Sequence, residues 1–401
     1  MKINKIEKSV KGDQVKLTSK VETHEGSARV WFAVNKVYED YVSDETLDAF
    51  LIGLFVHAMK LNEDIYLDGP VSEKLYYNLT NNIVNIYTFL DPMFHEIKIF
   101  PEDFNGNLLN TDTQNVVTGF SGGIDSFSVL SDYYFNHNVP PHYKVTHLIY
   151  NNVGAHGSNA SVFFHKRYYH LEKFAEEYEL PFIKVNSNLY DIIDSSFLLS
   201  VLPRNVASVM VLQKMFSKYL YASGYTYGNF LTSDIYKIGY TEPLTHSLYS
   251  TESLDCIMVG SNYTRVEKTE QVAKLKPSYR HLYVCTDTTL ENVRNCSVCF
   301  KCARTLLTLE ILGLQHLYKE VFDINRFNRI KRAYIESLLY DKDPLGKEIL
   351  VLAKEKNYPI NKVSKFLGNK YIYPLAQNFR KKVPYGLRQN IKKIIRLNHV
   401  K

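Results

Sequence analysis

Val116-Val117-Thr118-Gly119-Phe120-Ser121-Gly122-Gly123-Ile124-Asp125-Ser126-Phe127-Ser128-Val129-Leu130-Ser131 is the stretch whose reading decides the fold. Apolar residues at 116, 117 and 120 predict a short buried strand, and Phe127, Val129, Leu130 and Tyr134 begin an apolar helical pattern. Between them lies Ser121-Gly122-Gly123-Ile124-Asp125-Ser126. A strand that runs through a glycine turn into a helix N-terminus makes an anion site for two reasons. Glycines permit a sharp turn and a close backbone approach. The first N–H groups of the helix have no internal partner and stand at the positive end of its dipole. The hydroxyls of Ser121 and Ser126 add donors, which suits the loop to a group carrying the charge of a pyrophosphate. Asp125 is the odd member, expected either to cap the helix or to hold a Mg²⁺ that bridges phosphates.

Around this stretch, residues 113 to about 290 alternate strand and helix patterns, the signature of a parallel sheet covered on both faces. Val145–Tyr150 is a continuous apolar strand ending in Asn151-Asn152-Val153-Gly154, and Phe182–Asn186 is a third. A helix is expected over 160–179. In open α/β sheets ligands bind beyond the carboxyl ends of the strands, which sets Asn151, Asn152, Asn186 and Ser187 beside the glycine loop as candidate adenine and ribose contacts. Leu202-Pro203-Arg204-Asn205 precedes an expected helix over 206–221, so that Arg204 emerges at a helix N-terminus, against the dipole, where an anionic ligand would explain it. Thr264 and Glu267 have capping-box spacing at the start of a further helix containing Lys268.

Cys296-Ser-Val-Cys299-Phe-Lys-Cys302, with Cys285 upstream, is the second strong signal. Four of the five cysteines fall in this short span, which reads as metal binding rather than a disulfide framework. Four thiolates make a closed tetrahedral Zn²⁺ site with no position left for water, hence structural. An iron–sulfur cluster could use the same donors.

At 401 residues the chain exceeds one ordinary core, and three parts are expected. Residues 1–112 read as an α+β accessory domain. A hairpin is expected from the alternating runs 14–18 and 28–34, followed by a helix capped by Ser43-Asp44-Glu45-Thr46. Residues 113–320 form the nucleotide domain with its Cys₄ metal site, and 321–401 a helical, basic C-terminal region. The charge of +6 is uneven, because 361–401 holds eleven Lys and Arg and no acid, leaving a mildly acidic body. Its last segment, 385–397, patterns as a basic amphipathic helix of the kind that binds nucleic acid or lipid. The longest apolar run, around Leu51–Val56, is far short of a membrane span, and no apolar segment follows the N-terminus, so a cytoplasmic protein is expected.

The Ser-Gly-Gly-Ile-Asp-Ser segment resembles the PP-loop of the ATP pyrophosphatase superfamily, Ser-Gly-Gly-x-Asp-Ser. With the cysteine motif added, the chain from 116 to 312 is similar to the 7-cyano-7-deazaguanine synthase (QueC-like) family. Leu202-Pro203-Arg204-Asn205 is similar to that family's Pro-Gly-Arg-Asn segment, and Glu267-Lys268-Thr269-Glu270 looks like the Lys-Thr/Ala-Glu segment of PP-loop enzymes. The chain departs from the family at Asn151-Asn152-Val153-Gly154-Ala155-His156, where an Asp-Tyr-Gly-Gln-like segment is usual.

The resemblance implies a Rossmann-like, adenine nucleotide alpha hydrolase-like PP-loop domain and a ligase with ATP, Mg²⁺ and Zn²⁺ as cofactors. ATP would adenylate a carboxylate or carbonyl-type oxygen with release of pyrophosphate, and a nitrogen nucleophile would displace AMP. It implies ATP binding by Ser121, Gly122, Gly123, Ile124, Asp125, Ser126 and Asn151, catalytic roles for Asp125, Arg204 and Lys268, and metal ligation by Cys285, Cys296, Cys299 and Cys302. The expected partners are a small-molecule or protein-borne acceptor, an anionic surface for the tail, and a second copy of the chain. Two other readings stay open: a PP-loop sulfur transferase acting on tRNA, and a non-catalytic nucleotide-binding partner protein.

Overall fold

A computed structural model describes residues 1–109, 113–155, 160–193, 197–232, 238–287, 295–339 and 343–360. The protein is α/β. Its described residues divide between two compact units, Met1–Asn295 and Cys296 onward.

The first unit is built on a mixed sheet of eleven strands among the described residues. These are β1 (Lys2–Ile3), β2 (Glu7–Lys11), β3 (Gln14–Thr23), β4 (Gly26–Asn35), β5 (Ile65–Ser72), β6 (Ile99–Asn105), β7 (Val116–Gly119), β8 (His147–Asn152), β9 (Phe182–Ser187), β10 (Lys218–Ala222) and β11 (Asp255–Val259). Their order is β11-β10-β7-β8-β9-β4-β3-β1-β5-β6, with β2 beside β3. From β11 to β9 every pairing is parallel. The chain leaves β7, places β8 and β9 on one side, then returns to place β10 and β11 on the other. The strand order therefore reverses at β7, an arrangement compatible with a Rossmann-like fold.

The expected boundary at 112 falls inside this sheet. The long hairpin β3–β4 forms as its alternating pattern predicts, and β4 then joins β9 antiparallel, with Phe32 opposite Ser187 and Ala33 opposite Asn186. Asn188 fastens the junction, accepting from Trp31 N at 2.8 Å and donating to Arg29 O at 2.8 Å. A second tie is fully buried: Asp48 accepts from Ser72 N at 2.9 Å and from Gln213 Nε2 at 3.1 Å. Such pairings span most of the unit in sequence, so no compositional break marks them.

Helix Asp48–Leu61 is apolar on nearly all sides and is buried on nearly all sides, as that pattern requires. It starts from Leu47 without a side-chain cap, so the expected Ser43–Thr46 cap is not the one used. Gly53 faces the helix Phe197–Met210, where a Cβ would meet Ala207 Cβ at 3.5 Å, an ordinary contact.

That second helix corrects an expectation. Helix 206–221 does not exist; the helix runs Phe197–Met210 with Pro203 inside, and Lys218–Ala222 is a strand. Proline removes one intrahelical hydrogen bond, but the helix buries Leu202, Val206, Ala207, Val209 and Met210 in the core, which offsets that loss. Arg204 is consequently mid-helix, not at an N-terminus.

The second unit is helical among its described residues, with helices Phe300–Ile311, Ile324–Leu338 and Pro344–Glu355. Leu306, Leu309, Phe327, Ile349 and Leu352 are buried. Glu310 ties three segments together, accepting from Lys331 Nζ at 2.8 Å and from the Tyr358 hydroxyl at 2.7 Å. Among the described residues no helix is long and apolar enough to cross a membrane.

Candidate functional site

Strand β7 ends at Gly119, and the following turn enters the helix Ile124–Tyr133 through Gly123 as N-cap. Gly122 has φ +71°, a conformation that demands glycine, and a Cβ there would also press on Leu171 Cδ2 at 2.6 Å. Ser121 is exposed, whereas Ile124 is buried and can offer a ligand only its backbone. Ser126 is buried, and its hydroxyl donates back to Gly123 O at 3.1 Å.

Asp125 is not the helix cap. Its Oδ2 accepts from Arg265 Nη1 at 2.7 Å, and Lys268 Nζ lies 3.5 Å from its Oδ1. Both cations come from the helix Arg265–Val272, which starts with the expected capping box between Thr264 and Glu267. Lys268 is buried and donates to Ser223 O at 2.7 Å, at the end of β10. Gly260, with φ +78°, leaves room for the ammonium, since a Cβ there would be 3.3 Å from Lys268 Nζ.

The loop is braced from outside by a residue with no sequence signal, Arg167. This buried guanidinium donates to Ser121 O at 2.7 Å and to Tyr283 O at 3.3 Å, and lies 4.1 Å from the centre of the Tyr283 ring. Tyr283 N in turn donates to Gly122 O at 2.6 Å. Two backbone carbonyls of the loop, those of Ser121 and Gly122, are thereby held by Arg167 and Tyr283.

Beyond β8, Arg204 is fully buried. Its Nε donates to Ser200 Oγ at 2.8 Å and its Nη1 to Val153 O at 3.2 Å, while Nη2 has no partner. No carboxylate among the described residues pairs with it. Burial pushes its pKa down to about 10. A buried cation without a counter-ion is costly unless a ligand supplies the charge. Asn151 adds a buried, unpartnered Oδ1, its Nδ2 reaching Asn205 Oδ1 at 3.4 Å. Asn152 and Asn186 instead bond one another at 2.8 Å. Ser187 Oγ is spent on Asn152 O at 2.7 Å.

Cys285, Cys296, Cys299 and Cys302 are buried, and their four sulfur atoms lie within 4.8 Å of one another. A tetrahedron with metal–sulfur bonds of about 2.3 Å has edges of about 3.8 Å, and Cys296 and Cys302 are separated by 3.9 Å. Backbone N–H groups already point at two of the sulfurs, Cys299 N to Cys296 at 3.1 Å and Asp287 N to Cys285 at 3.3 Å. Ser297, with φ +65°, makes the turn that brings Cys299 back. The group can hold a metal such as zinc.

The structure thus brings Asp125 and Lys268 together and adds Arg265 and Arg167, which sequence reasoning missed. Arg265 had only its place at the first turn of a capped helix to mark it. The basic tail 361–401 lies outside the described residues. Comparison with protein-family models, with curated proteins and with solved structures finds no match for this chain.

Proposed function

We propose that this protein is a PP-loop ATP pyrophosphatase of the QueC-like kind, a C–N ligase that adenylates a carboxylate or carbonyl-type oxygen and passes it to a nitrogen nucleophile. The observation that carries this reading is the position of Ser121–Ser126 at the carboxyl end of β7, where the strand order reverses. Ligands of open α/β sheets bind at that reversal, and the loop opens a helix, whose N-terminus carries the positive end of its dipole and suits a phosphate.

The residues divide the work by position. The loop backbone and Ser121 hold the β and γ phosphates. Arg265 and Lys268, paired with Asp125, would transfer to phosphate oxygens. Asp125 is the loop's one carboxylate and would hold Mg²⁺, which when bound supplies charge neutralisation across the phosphates. Arg204 offsets negative charge at the α-phosphate or the adenylate. Asn151 accepts from the base or the acceptor. Catalysis of this kind rests on positioning and charge rather than on a side-chain nucleophile. The four buried thiols form a closed donor set, which favours a structural metal over a sulfur carrier.

The test is ATP–pyrophosphate exchange with a panel of carboxylates that includes 7-carboxy-7-deazaguanine, using ATP labelled at the α and γ phosphates. Cleavage between α and β, giving AMP and pyrophosphate, is the expected result. Release of ADP and orthophosphate without AMP overturns the reading.

A further inference from the structure

The helix Ala160–Glu177 turns one face to the glycine loop and to the segment 280–283. Arg167, His170, Leu171, Phe174 and Glu177 recur at helical spacing along that face. Leu171 stands against Gly122. The His170 ring lies 5.9 Å from that of Tyr283, and the Phe174 ring 5.5 Å from that of His281. Glu177 accepts from Arg280 Nη2 at 2.7 Å and meets His281 Nε2 at 2.9 Å. The next residues along are fixed as well. Asn295 Oδ1 accepts from Val284 N at 2.8 Å and Cys285 N at 3.1 Å, and its Nδ2 donates to Leu282 O at 2.9 Å. The chain around Tyr283 is therefore a rail held on both sides of the point where Tyr283 N donates to Gly122 O.

Arg167 joins loop and rail. A single guanidinium nitrogen, Nη2, donates both to Ser121 O at 2.7 Å and to Tyr283 O at 3.3 Å, and the group lies 4.1 Å from the centre of the Tyr283 ring. Its Nε is buried without a partner, and among the described residues no carboxylate pairs with it. Carbonyl oxygens accept hydrogen bonds without neutralising a charge, so a buried cation held only by them is costly unless an anion nearby offsets it. A peptide group is planar and trans, which sets each C=O opposite to the N–H of the next residue. Holding the carbonyls of Ser121 and Gly122 therefore also fixes the N–H groups of Gly122 and Gly123, which point away from the rail.

We propose that Arg167 is the positioning residue of the glycine loop and sets the loop's affinity for a polyphosphate without touching it. The inference rests on the ligase reading above for the identity of the anion. Arg167 acts through Ser121 O directly and through Tyr283 on Gly122 O. It aims two donors before the polyphosphate arrives, so binding does not have to order them. The charge of the bound anion in turn offsets the guanidinium. An apolar side chain of similar length fills the same volume and supplies neither the span between the two carbonyls nor the charge. Lysine supplies the charge from a single nitrogen on a different stem and lacks the planar fork.

The experiment melts the full chain in Mg²⁺ with increasing inorganic pyrophosphate, and separately with increasing ATP. A ligand that binds the folded state raises the melting temperature by an amount set by its concentration and dissociation constant. Each protein is compared with itself, so a merely structural role lowers the starting temperature and leaves the concentration dependence unchanged. For Arg167→Met the pyrophosphate needed for a given rise should increase by about tenfold or more, the scale of one lost charge-assisted hydrogen bond. Arg167→Lys should fall between Met and wild type, and it serves as the test if the Met variant does not fold. Wild-type concentration dependence in a folded variant overturns the Arg167 assignment and leaves the ligase reading standing. No rise in the wild type with either pyrophosphate or ATP overturns the ligase reading, and the assignment with it.

Discussion

Arg265 Nη1 lies 2.7 Å from Asp125 Oδ2 and joins two residues 140 positions apart in the chain. The pair holds the one carboxylate of a phosphate-type loop against a cation, with Lys268 on the other carboxylate oxygen. The loop carboxylate thus has its own counter-charge.

Asp125→Asn should abolish AMP and pyrophosphate formation. It also leaves Arg265 and Lys268 facing a neutral amide, so stability should fall by about 1–3 kcal/mol, the cost of orphaning partly buried charge. Denaturant melts and a labelled-ATP assay check the two effects separately. Full turnover in the variant would remove Asp125 from the machinery.

Arg204→Met should separate function from fold in the opposite way. Among the described residues the buried guanidinium has no carboxylate partner, so an apolar side chain of similar length should leave stability within about 1 kcal/mol of the wild type. Exchange activity should nevertheless fall by about 100-fold, as expected when a charge-stabilising donor is lost. A large drop in melting temperature with activity intact would make Arg204 structural.

The purified protein should contain close to one equivalent of Zn²⁺ and negligible iron, measured by plasma mass spectrometry. Cys296→Ser should lose the metal and aggregate, because a structural zinc contributes folding energy directly. Stoichiometric iron would refute the zinc assignment and revive sulfur chemistry.

Stability should fall in acid partly through His246. Burial lowers its pKa to about 3 in the folded protein, while the unfolded chain takes up the proton near 6.5. As pH drops from 6.5 towards 3, only the unfolded state gains that proton, so the contribution present above 6.5 is lost. The slope is at most about 1.4 kcal/mol per pH unit for one group. His246→Phe should flatten this limb in urea titrations at stepped pH, and an unchanged limb would show that His246 is protonated in the fold.

Much of the site was legible because it is local. The Ser121–Ser126 turn needs glycine where the backbone goes left-handed at Gly122, and Thr264 and Glu267 cap a helix within one turn of themselves. The hairpin β3–β4 follows from period-two alternation, and the cysteine spacing follows from the reach of one turn and one helix start. Each of these is a constraint between residues a few positions apart, so it leaves a pattern in the chain.

What the sequence determined by itself was the strand–loop–helix unit at 116–133, the alternation around it, and the four-thiol donor set. Tertiary structure alone decided the rest. The pairing of β4 with β9 merges the N-terminal strands into the parallel part of the sheet, and two residue pairs in register leave no local periodicity to read. Packing moved Arg204 from an expected helix start into the middle of a buried helix, where its lack of a counter-ion became visible. The engagement of Asp125 by Arg265 and the brace from Arg167 are likewise set by which distant elements close on one another. Charge and burial are properties of that closure, because the field at a side chain depends on everything packed around it and on little that is adjacent in the chain.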